Sequence, residues 1–202
     1  MIFVYSKFKE WKWKKYSPAK RLKVLCAVEK KVAKNLGIEP LKIEIREDEN
    51  WNCYGAFTTV PGGGQKIVLN SVLLTVPETR FHALETIAHE TRHAYQFSVV
   101  SRKLKWYEFE AKRWKQNWES YFSSSIDGVM YNNQSVERDA QKYSIKFLKK
   151  HKYKNDENYR HTLDAVLGRY NQAVIDAKNE YGAFYKLKIA RNIRKNAKIK
   201  RR

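Results

Sequence analysis

Residues 84 to 96 read LETIAHETRHAYQ and contain His89, Glu90 and His93 in the pattern H-E-x-x-H. Residues four apart on an α-helix project side by side, one turn apart, so the two imidazoles can share one metal ion. Imidazole nitrogen holds Zn²⁺ at roughly 2.0–2.1 Å. Glu90 lies about 100° around the helix from His89. It is off the ligand row but within reach of a water on the ion. That is the place of a general base in metal-assisted hydrolysis: the ion acidifies the water and the carboxylate takes its proton.

A catalytic zinc takes three protein ligands and keeps one position open, so a third ligand must come from elsewhere. No histidine occurs between residues 94 and 150. The segment YNNQSVERDAQKYSIKFL, residues 131 to 148, carries a helical stripe of Val136, Ala140, Tyr143 and Phe147. Glu137 flanks that stripe on one side and Asp139 on the other, and periodicity does not separate them. Tyr131, Tyr143, His151 and His161 are suitable in type to stabilise an oxyanion. His82, two turns before His89 on the same face, reads as a solvated surface histidine.

These residues need elements to hold them. Ser17 followed by Pro18 signals a helix start, Leu22, Val24, Leu25, Val28, Val32 and Leu36 recur at helical spacing, and Gly37 closes the run. LKIEIRE (41 to 47) alternates as a half-buried strand does, and CYGAFTT and QKIVLN flank PGGG as a hairpin. Helices are expected over 77–99, 107–122 and 134–150, with SSSIDG as a loop, then two more over 158–180 and 181–198. On the helix that carries the motif, Leu84, Ile87, Thr91, Ala94 and Tyr95 fall opposite the histidines and would bury against the sheet. The fold class is α+β: a helix, a small, mostly antiparallel twisted sheet, the histidine-bearing helix, then a helical C-terminal half. Residues 1–155 would form the site-bearing domain and 156–202 a basic helical extension packed on it or trailing it.

The chain has 202 residues, 43% hydrophobic and 14% aromatic, which is enough for a core. Its formal charge of +20 favours polyanions. Between Lys7 and Lys34 there are eleven Lys or Arg interleaved with Trp11, Trp13 and Tyr16, read as a docked amphipathic arm with Trp packed inside. The stretch from Lys186 to Arg202 holds nine Lys or Arg and no acid, an expected contact for nucleic acid or another polyanion. Cys26 and Cys53 make no disulfide framework, the opening MIFVYSKFKEWKWKK lacks a signal-like apolar run, and no stretch reaches the roughly 18 apolar residues of a membrane span. A cytoplasmic protein without a transmembrane segment is expected.

LETIAHETRHAYQ followed by SVERDAQKY resembles the gluzincins, in particular the compact zinc metallopeptidase domains of bacteria, phages and mobile elements. Those place an E-x-D/E-A pattern on a second helix, and its first Glu is the third ligand. The resemblance makes that residue Glu137, 44 positions after His93. It implies a zinc metalloendopeptidase binding one Zn²⁺ through His89, His93 and Glu137, with Glu90 as catalytic base and a polypeptide substrate. YGAFTT resembles the edge strand with which gluzincins hold substrate backbone, through Gly55, Ala56 and Phe57 here, and QKIVLN the strand leading to the active-site helix. Some relatives carry an Asp four residues after the ligand Glu, where this chain has Gln141; Asp139 or a backbone carbonyl is then expected behind His89, with Tyr143 nearby. The competing expectation is a basic nucleic-acid-binding or interaction protein of a mobile element on the same scaffold, with little or no turnover.

Overall fold

The computed structural model describes residues 5–60, 62, 64–101, 108–121, 128–150, 153 and 155–199, over 180–199 as helix backbone alone. The IFV opening, most of the SSSIDG loop, His151 and the last three residues lie outside the described residues.

A short helix, α1 (Glu10–Lys15), places Trp13 in the core, fully buried and stacked on Phe8 at 4.8 Å. Trp11, on the other side of the same turn, stays 59% exposed beneath the amines of Lys12 and Lys15. The arm is thus docked, with one tryptophan in and one out. Helix α2 (Pro18–Leu36) begins and ends as its sequence predicts: Ser17 Oγ accepts from the Lys20 N–H, Pro18 takes the first position, and Gly37 ends the helix at φ 70°.

Strands β1 (Lys42–Arg46), β2 (Gly55–Val60) and β3 (Gly64–Asn70) form one sheet in the order β1-β3-β2. β2 and β3 are the expected antiparallel hairpin, but β1 pairs parallel with β3. The sheet is therefore mixed, not mostly antiparallel. Alternation marks strands but not their order; here the chain between β1 and β2 passes to the far edge before turning back through β3. β3 is central, with Ile67 and Leu69 fully buried, and β2 is left as an edge.

After α3 (Val72–Thr75) and a 3₁₀ turn (Pro77–Thr79) comes α4 (Arg80–Val100), the axis of the molecule. Leu84, Ile87, Thr91 and Ala94 are fully buried, and α4 packs on α2 and on the sheet. Helices α5 (Glu108–Glu119), α6 (Gly128–Asn133), α7 (Ser135–Lys149) and α8 (Glu157–Ile199) follow. The two C-terminal helices expected at 158–180 and 181–198 are one. Gly182, at the expected break, costs a helix about 1 kcal/mol relative to Ala but does not by itself end one. Among the described side chains of α8, Tyr159, Thr162, Val166 and Ala173 are buried, and Arg80 grips Asp156 just before its start with two bonds of 2.6 and 2.7 Å. The first half of the C-terminal segment is thereby packed on α4, α6 and α7. Among the described residues no helix is long and apolar enough to cross a membrane.

Candidate metal centre and cleft

α7 lies along α4 through Val136 and Ala140, both fully buried, which brings the intervening Glu137 into the junction at 0% exposure. There it meets both histidines. His89 Nε2 and His93 Nε2 are 3.0 Å apart, Glu137 Oε2 is 3.2 Å from the first and Glu137 Oε1 3.2 Å from the second. A zinc-like ion holds N and O ligands at roughly 2.0–2.2 Å, which separates pairs of ligand atoms by about 3.0–3.5 Å. Two imidazoles and one carboxylate, all buried and converging at that spacing, can hold a metal ion.

The surrounding groups fix which nitrogens face the centre. Gln96 donates its Nε2 to Val136 O at 2.9 Å and to Asp139 Oδ2 at 2.8 Å, which turns its Oε1 toward His93 Nδ1 at 2.9 Å. An amide oxygen only accepts, so Nδ1 carries the proton and Nε2 presents a lone pair, the form a metal binds. On the other side, His89 Nδ1 faces Glu85 Oε1 at 3.9 Å, and that oxygen is held by Ser144 Oγ at 2.8 Å.

Electrostatically the centre asks for a cation. Burial opposes charge on the imidazoles, yet the Glu137 hydrogen bond and the nearby carboxylates outweigh it, raising His89 to about 9 and His93 above its ordinary value. Burial likewise opposes ionisation of Glu137, but the imidazoles hold its carboxyl far below the usual range. A pocket that draws protons onto two histidines can take a divalent ion in their place. Glu90 is shifted the other way: burial lifts its carboxyl, and the imidazoles and the Phe57 N–H only partly offset this.

Asp139 does not join the ligands. It forms a two-bond pair with Arg92, at 2.7 and 3.1 Å, and reaches His93 only through Gln96, so the support expected for His89 goes to the other histidine. Tyr143 packs on the core beneath the Arg92 guanidinium, which also lies over Tyr95 and Trp114. There it braces Arg92. His161 is exposed beside Glu157. His82 stacks on Tyr54 at 4.9 Å with Nδ1 buried, not solvated as expected, because β2's approach covers that end of α4.

β2 crosses α4 closely enough that a Cβ on Gly55 would stand 2.5 Å from Thr86 Cγ2 and 3.1 Å from Val68 O. Asn70 N–H donates to Tyr54 O, and the alternation of an antiparallel pair then turns Gly55, Phe57 and Thr59 to the free edge. Phe57 N–H uses that freedom to donate to Glu90 Oε2 at 2.7 Å. Ala56, grouped with Gly55 and Phe57 from sequence, turns its backbone to Val68 instead. It lines the cleft without offering a backbone bond.

The cleft has two arms that share Glu90, Gly55, Cys53 and Tyr131. One, of about 220 Å³, is aromatic: Phe57, Trp51, Trp118 and Tyr121 line it. Trp118 stacks on Tyr121 and meets the His93 ring edge-on, and Tyr121 Oη donates to Glu137 Oε1 at 2.5 Å. Burial raises the Tyr121 and Tyr131 phenols, so both remain proton donors at neutral pH. The other arm, of about 260 Å³, is polar and includes Glu85, Asn132, Gln141 and Arg169.

Gln96 was within reach of sequence reasoning, three residues after His93 on one helix face. Tyr121, Trp118 and Arg169 come from separate elements and carry no such signal. Compared with protein-family models, curated proteins and solved structures, the chain matches none.

Proposed function

We propose that this chain is a gluzincin-type zinc metallopeptidase, with His89, His93 and Glu137 as ligands and Glu90 as general base. The observation that carries this reading is the bond from Phe57 N–H to Glu90 Oε2, which ties the base to a free strand edge beside the three converging ligands. Zinc, when bound, supplies Lewis acidity, polarising a carbonyl and making a water easier to deprotonate.

The protein's own groups do the rest. Substrate adds as a strand to β2, whose Gly55 and Thr59 backbone groups face the open edge. Glu90 Oε2 accepts the proton of the attacking water and returns it to the departing amide nitrogen. Its raised affinity for a proton suits that exchange. Tyr131, a protonated phenol that lines both arms, is the group we assign to donate to a developing oxyanion.

The test is Glu90→Gln, compared with wild type for zinc content and peptide hydrolysis. The variant should keep its zinc and lose hydrolysis by about 10²–10⁴-fold, since an amide cannot take the proton. Equal hydrolysis by both proteins would refute the mechanism. A non-catalytic polyanion-binding protein is favoured by one observation, the exposed Trp11 among lysines; it predicts zinc without turnover in the wild type as well.

A further inference from the structure

The polar arm contains groups that neither the ligand set nor Glu90 employs. Gln141 donates its Nε2 to Asn132 Oδ1 at 2.9 Å, so its carbonyl oxygen is the free end. That oxygen is buried in a residue only 3% exposed, and it has no hydrogen-bond partner among the described residues. A buried acceptor left without a donor is destabilising unless something supplies one. Arg169, an exposed side chain of α8 at the edge of the same arm, forms no ion pair among the described residues. The other arginines that touch the histidine-bearing helix are committed: Arg80 to Asp156 and Arg92 to Asp139. Of the two acids in this arm, Glu85 is held by Ser144 and faces His89, and Glu90 accepts from the Phe57 N–H; neither pairs with Arg169.

A planar guanidinium without a partner at the wall of a cleft is matched by a carboxylate, which it can bind through two parallel N–H bonds. A lone acceptor in the same arm is matched by a peptide N–H. We propose that this arm is a carboxylate subsite: Arg169 pairs with a carboxylate of the bound chain while Gln141 Oε1 accepts one of its backbone N–H groups. That the ligand is a peptide rests on the peptidase reading. The carboxylate is either an Asp or Glu side chain near the scissile bond or the free C-terminus of the substrate; both present the same group to Arg169.

Binding to zinc-loaded Glu90→Gln protein, measured by calorimetry, tests this without turnover; Gln keeps an acceptor oxygen for the Phe57 N–H. The probes are C-terminally amidated peptides in which a single Glu is walked through a neutral sequence, each paired with its Gln counterpart, together with the neutral peptide as a free acid. About 0.15 M salt confines the contribution of the protein's overall positive charge to short range. At one register the Glu peptide should bind about tenfold tighter than its Gln partner, a difference of about 1.4 kcal/mol. Arg169→Gln should abolish the difference and Arg169→Glu should reverse it, making the Glu peptide the weaker binder of the pair. If the advantage follows the free acid and not an internal Glu, and still vanishes in Arg169→Gln, the chain end is the source. An acid preference that survives Arg169→Gln, or none at any register, overturns the subsite. Wild-type cleavage separates the two ideas: turnover without an Arg169-dependent acid preference removes the subsite and leaves the peptidase. Arg169-dependent binding without turnover removes the peptidase and leaves the subsite.

Discussion

Gln96 Oε1 stands 2.9 Å from His93 Nδ1 while the same amide donates to Val136 O and Asp139 Oδ2. One side chain thereby orients His93, a candidate metal ligand from α4, and anchors α7, the helix that brings Glu137. Asp139 is in turn held by Arg92, so the chain of contacts from His93 ends in a guanidinium enclosed by Tyr95, Trp114 and Tyr143.

Loss of that orientation should show in metal affinity. Wild type should carry close to one zinc, and His89→Ala or Glu137→Ala should lose most of it. Gln96→Leu should retain the fold but bind zinc about 10–100-fold more weakly in competition with a chelator. Asp139→Asn should have a smaller effect, since it acts only through Gln96. Unchanged affinity in Gln96→Leu would show that packing alone orients His93.

Gly55 sets how near β2 comes to α4, and so the length of the Phe57–Glu90 bond. Gly55→Val should push the strand off Thr86 and break that bond, with peptide hydrolysis falling at least about tenfold while zinc content is kept. Overpacking of this kind commonly costs about 1–3 kcal/mol, which a thermal melt would register. Full activity at normal stability would mean the strand edge is not part of the machinery.

Glu29 is a buried carboxyl that accepts from the Leu41 N–H, and burial raises it from 4.5 to about 7. In the folded chain it holds a proton that the unfolded chain releases near its ordinary value. Its stabilisation is therefore present below about pH 4.5 and is lost as pH rises to about 7, flat beyond. Glu29→Gln keeps an acceptor oxygen and removes the charge. It should raise stability at pH 8, by about 3 kcal/mol at most, and flatten the stability profile between pH 4.5 and 7. Calorimetric melts across pH check this; an unchanged slope would place the pH dependence elsewhere.

The basic run from Lys186 to Arg202 begins within α8, which is described to Ile199, and among the described side chains of that helix the buried ones are Tyr159, Thr162, Val166 and Ala173. If it binds a polyanion, affinity should drop steeply with salt, with a log–log slope of about −5 on duplex DNA for five or six phosphate contacts. Deleting residues 186–202 should flatten that slope and leave zinc untouched. Loss of the metal on truncation would instead make this stretch a structural brace.

Local rules in the sequence were enough for much of this molecule. Ser17, Pro18 and Gly37 delimit α2 because capping and left-handed backbone are properties of neighbouring residues. Spacing along one helix put His89 and His93 on a common row with Glu90 beside it, since helix geometry is the same in every context. The order of the strands, the unbroken run of α8 and the choice between Glu137 and Asp139 were not of that kind. Each depends on which faces meet across long separations. Residues 137 and 139 flank one apolar stripe equally, and only the seating of α7 against α4, through Val136 and Ala140, turns the first toward the histidines and the second toward Arg92. Tyr121, Trp118 and Arg169 reach the cleft by the same route. Periodicity along a chain records which face of an element is apolar; only packing decides what that face is packed against.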